Sequence, residues 1–476
     1  MGVRDFTAGR ARSLNGVGKS DAGVEARRYG RSATLLATGI GTAGVLTYLY
    51  FALASHNLSR AEYGQIVVLW SAVMITISIV YRPVEQLLSR TIAERQARTL
   101  PIGRPLRIAA LIQLAIAGAA AAATLLLHGP LENSLLEGKT ALYWVMLVSV
   151  VSFGASYYAR GFLAGTRRFG LLAGLIVNEA TGRFLFSLAV AVGIASGQAV
   201  VAAGIAVAPL LSLVVVPLAF VGRARARPAP PPPVDAAAIA AEQEFTLASG
   251  AGFAAAVLLI MLSEQTLING GPLLVRASVG ASAAGFIFNV LMVARAPLLL
   301  FQGIATSLLP HLTRLRSRGG NSGDEAFRLS VRGTLGAIAL FTLAVSAVIV
   351  IAGPQLMQIA FGAKFTYDRV GLLCVSAGMG VYLAATTLNQ ASVAEGKVRR
   401  AAACWVLCAV GFLGWNLLPV LSEFRRVELG FLGAALILCA LLYVVYRQPV
   451  GRPSDVLEPG SPAELEARLA AAEEVG

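Results

Sequence analysis

The sequence predicts an all-α integral membrane fold: about 12 transmembrane helices in two six-helix bundles, related by a pseudo-two-fold axis along the membrane normal. Three observations predict it. Of the 476 residues, 57% are hydrophobic and only 13% charged, with a mean hydropathy of +0.72, whereas a soluble domain carries about 25% charged residues. The apolar residues fall into blocks near the roughly 20 residues that a helix needs to cross a bilayer. One long polar break then divides these blocks six and six. It runs from Arg223 through Arg225, Arg227, Pro228 and Pro230 to Pro233, a composition that favours extended, solvated chain.

Taken in order, the chain opens with a basic, Gly-rich tail over 1–31 that has no apolar run, and so no evident signal peptide. The N-terminal bundle, 32–222, holds candidate spans at 32–54, 64–82, 106–127, 141–163, 171–194 and 198–221. The linker 223–245 follows. The C-terminal bundle, 246–447, holds spans at 247–269, 282–308, 331–352, 370–392, 401–419 and 428–446, and a tail covers 448–476. Length assigns these runs to helix, since periodicity alone cannot. The short alternating segments of a β-barrel are absent from the pattern. Glu85 to Leu100 is amphipathic and reads as a helix lying along the inner surface.

Charge gives the orientation. The net charge of +14 is not a nucleic-acid signature, because the basic residues sit in loops between apolar blocks. Of the 39 Lys and Arg, 30 lie in the segments that share a side with the termini and 7 in the opposite loops, while Arg183 and Arg295 fall inside spans. The positive-inside rule then places both termini in the cytoplasm. The Arg- and Ala-rich composition fits a GC-rich bacterial genome, so the compartment expected is the bacterial cytoplasmic membrane. All outward loops are short, which leaves no outer domain for the chemistry of a membrane glycosyltransferase or polymerase and argues against an enzyme.

The halves echo one another. An offset of 214 carries the first span onto the seventh and Pro83 onto Pro297, with Arg82 and Arg295 nearby but one residue out of register. An offset of 231 carries Gly165-Thr-Arg-Arg168 onto Gly396-Lys-Val-Arg399. With six spans per half, both copies enter from the same side, which makes the repeats parallel.

Charges inside the spans are the candidate functional groups, because an intramembrane ionisable residue is costly unless it is paired or used. Glu179 and Arg183 are i, i+4 on the fifth span, the favoured order for a helical pair, roughly 12–18 Å from its start. They read either as a self-neutralising lock or as groups that handle substrate or protons. Arg160, Arg167 and Arg168 are expected to mark the cytoplasmic face, and Gly161-xxx-Gly165 to let two helices approach closely. Glu264 precedes Asn269-Gly-Gly-Pro272, where the seventh helix is expected to end or kink. If it ends there, Glu264 sits near the outer rim and does not meet Arg295. Arg295, beside Pro297, offers a guanidinium that can grip a pyrophosphate by bidentate hydrogen bonds. Arg82, Glu179, Arg183, Glu264 and Arg295 are therefore the cavity candidates.

Other signals carry little. The four cysteines, Cys374, Cys404, Cys408 and Cys439, fall within apolar blocks, and no CxxC or Cys/His cluster suggests a metal. Asn15-Gly-Val-Gly-Lys-Ser20 looks like a phosphate loop, but Ser13 stands where its first glycine is needed and no strand precedes it. Asn57-Leu-Ser59 is a glycosylation sequon, idle in a bacterium. Pro462 to Glu474 reads as a short exposed helix.

The run Arg160-Gly-x-Leu-x-Gly-x-x-Arg-Phe169 followed by Glu179-x-x-x-Arg183 resembles bacterial polysaccharide exporters of the multidrug/oligosaccharidyl-lipid/polysaccharide (MOP) flippase superfamily. So does Arg295-x-Pro-x-x-x-Phe-Gln302 leading to Leu309-Pro310. The resemblance spans nearly the whole chain. It implies two bundles around a central cavity, lined largely by spans one, two, seven and eight, that flip a lipid-linked oligosaccharide by alternating access. It further implies membrane lipids as surroundings, a polysaccharide polymerase and glycosyltransferases as partners, no nucleic acid and no cofactor. Coupling to an ion gradient or membrane potential is expected. Relatives that flip peptidoglycan precursor have extra spans and a more cationic cavity than this chain suggests. Some drug-exporting relatives carry a coupling acid on the seventh helix, which makes Glu264 a candidate ion site. A multidrug or small-molecule antiporter is thus the alternative, and a non-transporting scaffold of a cell-envelope assembly is a third reading. A wide cationic cavity open to lipid would mark the flippase, a smaller acidic one the antiporter, and a filled centre the scaffold.

Overall fold

A computed structural model describes residues 34–98, 100–220, 247–295 and 320–448. The terminal tails, the linker and the end of the eighth span with Pro297, Phe301, Gln302 and Leu309-Pro310 lie outside the described residues. The described chain is helical, with no strand. Its N-terminal half comprises α1 (Thr34–Asn57), α2 (Arg60–Val80), α3 (Arg82–Ala97), α4 (Gly103–Leu126), α5 (Thr140–Gly165), α6 (Phe169–Ala191) and α7 (Gln198–Ser212), the last running into a 3-10 segment, Leu213–Ala219. The C-terminal half comprises α8 (Leu247–Ser278), α9 (Ala281–Arg295), α10 (Gly320–Phe361), α11 (Arg369–Ala394), α12 (Val398–Leu417) and α13 (Glu423–Arg447). Among the described residues, 11 helices are long and apolar enough to cross a membrane, with α2 and α3 acting as one, and α9 is a shorter apolar helix.

Two expectations need correcting, and proline explains both. The second span does not stop at Arg82. Pro83 has no N–H to return to Ile79, so the regular helix is interrupted at Tyr81, but it resumes at once and the joined span covers 37 residues, Arg60–Gln96. Glu85 to Ala97 therefore does not lie along a surface. It packs on α5, where a methyl group on Gly161 would meet the Glu85 carbonyl at 2.9 Å and one on Gly165 would meet Ile92 at 2.7 Å. The small-residue pair predicted to bring two helices close does so, and α3 is the partner. Pro272 likewise fails to end the seventh span, since α8 continues through it to Ser278. One lost hydrogen bond is a modest cost when neighbouring helices hold both sides.

The loops alternate between a basic face, which carries the turns around 98–102, 166–168 and 395–397, and an opposite face. Contacts joining the halves gather toward the opposite face. Gly64 of α2 lies so close to α9 that an added methyl would collide with the Ala281 carbonyl. The Tyr63 hydroxyl donates to Asn289, and Phe51 meets Phe288 at 4.6 Å. Lys364 donates to the Leu58 carbonyl at 2.6 Å, and Arg276 reaches the Ser134 carbonyl at 2.7 Å and Glu137 at 3.3 Å. One apolar core thus passes from Phe51, Ile66 and Val67 in the first half to Ile287 and Leu291 in the second. A second core, around Leu88, Ile92, Leu163 and Leu172, stays within the N-terminal half near the basic face.

Candidate functional site

The interruption at Tyr81 lies at the centre of the charged cluster. Tyr81 is fully buried and donates to the Val150 carbonyl of α5 at 2.7 Å, which anchors it. The next residue, Arg82, is thereby held between the halves at mid-span rather than in a loop. Its electrostatic neighbours are Tyr157 of α5, Glu85 one turn on, and Glu264 of α8. Because α8 runs on past Pro272, Glu264 lies well inside the span and not at the rim.

From Arg82 the charges continue into the N-terminal half. Glu85 faces both Arg82 and Arg160. Arg160 donates to Glu179 Oε2 at 2.6 Å, Ser156 to the same oxygen at 3.0 Å, and Arg183 to Oε1 at 2.9 Å. The predicted Glu179–Arg183 pair is present, then, but it is half of a larger cluster. Arg160 is a correction: it does not mark the membrane face but turns inward. The reason is that one i, i+4 partner satisfies one carboxylate oxygen and leaves the other to be matched from a neighbouring helix. Both arginines also lie over aromatic faces, Arg160 at 4.7 Å from the Tyr157 ring and Arg183 at 5.0 Å from the Trp70 ring. Cation–π contacts of this kind gain strength where water is excluded.

In the C-terminal half the arrangement is different. Tyr382 of α11, packed edge-on against Trp405 at 5.9 Å, faces Glu264, Arg295 and Arg82 together. Its hydroxyl stands beside Glu264 without a well-formed hydrogen bond. Arg295, the last described residue of α9, has buried Nε and Nη2 atoms with no hydrogen-bond partner among the described residues. No ion pair joins it to Glu264 among the described residues. Arg82, Glu264 and Arg295 thus gather around Tyr382 at the junction of the halves, while Glu179 and Arg183 sit within the N-terminal bundle and connect to the centre through Arg160 and Glu85. Four arginines alternate with three glutamates, an excess of one positive charge at the end where Arg295 stands. Sequence reasoning missed Glu85, Tyr382 and the inward turn of Arg160. The spacing of Ser156 and Arg160, i, i+4 like Glu179 and Arg183, is the signal that could have found the last.

These features define a multi-pass membrane protein built as two helical bundles with an ionisable cluster between them. Comparison with solved structures gives the fold a name: it is that of the MOP-superfamily transporters. An outward-facing multidrug-resistance MATE family transporter of that superfamily superposes with a TM-score of 0.61 at 12% identity, covering 87% of this chain and 94% of that one. An inward-facing conformation gives 0.59 at 13%, covering 87% and 96%. A MOP-superfamily transporter from Pyrococcus furiosus, described as having a binding pocket of reversed polarity that suggests a different function, gives 0.58 at 13%, covering 87% and 94%. No protein-family model matches the chain. An uncharacterized Mycobacterium tuberculosis protein, Rv1510, is 27% identical over 407 residues, 82% of this chain and 85% of its own length.

Proposed function

We propose that this chain is an alternating-access secondary transporter whose central site receives an anionic group, with a lipid-linked oligosaccharide as the substrate. The observation that carries this reading is Arg295, whose guanidinium has two buried nitrogens unmatched among the described residues. A charge at mid-membrane costs at least about 2.5–3.5 kcal/mol unless compensated, and an incoming phosphate or pyrophosphate would compensate it with parallel hydrogen bonds. Arg82 supplies a second cation from the other half, so the two halves can close on one substrate from both sides. The charge bias of the loops supports a cytoplasmic basic face in the bacterial membrane. The contacts gathered on the opposite face fit a state closed on that side. A polysaccharide polymerase and glycosyltransferases are the expected partners, with an ion gradient or the membrane potential as the driving force.

A second reading rests on Glu264. A single acid on α8, close to Tyr382 and Arg82, suits exchange of a proton or cation for a small molecule, and the multidrug-resistance transporters that share the fold fit that reading at least as well. The variants separate the two. Under the first reading, Arg295→Ala abolishes export and cells accumulate lipid-linked oligosaccharide at normal membrane levels of the protein, while Arg295→Lys keeps part of the activity because charge survives and the planar fork is lost. Normal export by Arg295→Ala, with drug efflux lost in Glu264→Gln, would establish the antiporter instead.

A further inference from the structure

Away from the central cluster, α4, α5 and the 3-10 segment after α7 enclose a cleft of about 560 Å³ on the outer surface of the N-terminal half. Its floor is cut low by Gly154, Ala155 and Ala159, and Leu114 and Val216 wall it. Phe162 and Phe220, stacked at 5.6 Å, lie at its end nearest the basic face. All three enclosing elements belong to membrane-spanning segments, so what borders the cleft is lipid.

Two lining residues carry polar side-chain groups: the Tyr158 hydroxyl is used, donating to the Leu106 carbonyl at 2.9 Å, and Gln113 is only 5% exposed. Gln113 donates its amide nitrogen to the Gly154 carbonyl at 2.7 Å. A carbonyl only accepts, which fixes the orientation of the amide. The oxygen is left over: Gln113 Oε1 is buried and accepts from no donor among the described residues. An unmatched acceptor in an apolar setting is a cost of about 1–3 kcal/mol, removed only by a donor. A second observation lies one step toward the basic face. Arg104 and Arg107 are exposed and have no ion-pair or hydrogen-bond partner among the described residues. Arg107 precedes Leu114 by two turns and shares its face of α4, at the mouth of the cleft. Counted from Ile108, the first apolar residue beyond Arg107, Gln113 lies about 8 Å into the hydrocarbon.

We propose that this cleft is a binding site for a single-chain anionic glycerophospholipid. The acyl chain fills the cleft, the phosphate meets Arg104 and Arg107, and the free glycerol hydroxyl donates to Gln113. The polar parts follow the order in which such a lipid carries them: phosphate, hydroxyl, chain. A diacyl phospholipid offers ester oxygens at the level of Gln113, and these accept rather than donate. The site is separate from the residues between the halves and does not depend on the transport reading.

Native mass spectrometry of the full-length chain released from neutral detergent micelles tests it, with three probes: 1-palmitoyl-glycerol-3-phosphate, hexadecyl phosphate and dipalmitoyl phosphatidylcholine. The first should bind saturably and in preference to the second, which lacks the glycerol unit with its hydroxyl and the acyl ester, and the third should not compete. Gln113→Leu should make the first two probes equivalent. Replacing Arg104 and Arg107 by Gln should weaken both phosphates roughly tenfold. Ala155→Phe should fill the cleft and remove binding, and Ala110→Leu serves the same purpose if that variant does not fold. Equal binding of the first two probes to the unaltered protein, or undiminished binding to a folded cleft-filling variant, would overturn the proposal.

Discussion

The two halves bury arginine in opposite ways. In the N-terminal half Arg160 and Arg183 both hold Glu179, at 2.6 and 2.9 Å, and each lies on an aromatic ring. In the C-terminal half Arg295 has Tyr382 as its electrostatic neighbour but, among the described residues, no ion pair, and two of its nitrogens are unmatched there. A paired buried charge fixes which helices pack together, and an unpaired one is tolerated only where something else will answer it. The difference separates architecture in one bundle from function at the junction.

The largest expected effect tests the paired side. Glu179→Leu leaves two guanidinium groups buried against each other, and breaking a buried network in this way costs about 3–5 kcal/mol. The protein should fail to accumulate in membranes, and normal accumulation would mean that the cluster is not architectural. Arg160→Leu is milder, because Arg183 still holds one oxygen of Glu179 and Ser156 the other. It should lower stability by about 1–3 kcal/mol, read as a reduced melting temperature of the purified protein, with the membrane level largely kept.

The smallest effect concerns a paired cluster in the C-terminal half, where Arg425 bridges Asp368 at 2.7 Å and Glu428 at 2.9 Å, and Tyr367 donates to Glu428. Asp368 caps α11 by accepting from Gly371 N–H at 3.1 Å. Partial burial pushes its pKa up, but the hydrogen bonds from Arg425 and the Gly371 backbone outweigh that and hold the carboxyl below its usual range. A depressed native pKa means that the stabilisation is present above the unfolded value of about 3.9 and is lost as pH falls through the native one. Asp368 is 43% exposed, so solvent screening keeps its contribution below about 1 kcal/mol. Asp368→Asn should therefore melt slightly lower than the unaltered protein at pH 7, with the gap closing below about pH 4.

Most of the fold was legible in the sequence because a bilayer admits so few solutions. Apolar length marked the helices, and the division into two sets of spans followed from the linker. Legibility failed at prolines and at helix ends. Glu85, Arg90, Glu94 and Arg95 give the same amphipathic pattern whether a helix lies on a membrane or projects past it along a neighbour, and only the Gly161–Gly165 groove decides between the two. Pro272 reads as a stop, yet the packed neighbours of α8 carry the helix through it. For the site, Glu179 and Arg183 were visible because they lie one turn apart. Arg82, Glu264 and Arg295 were visible as charges within or at the ends of apolar spans, but Tyr382, which they face, was not, because an aromatic residue in an apolar span carries no signal of its own.

The measurement closest to the central claim is the melting temperature of purified Arg295→Met, with no substrate added. If Arg295 is an unmatched charge held in place for a ligand, exchanging it for an apolar side chain of similar length relieves a buried cost, and the variant should melt at or above the temperature of the unaltered protein. A clear fall in melting temperature, comparable to that of Arg160→Leu, would contradict the account and make Arg295 one more piece of architecture.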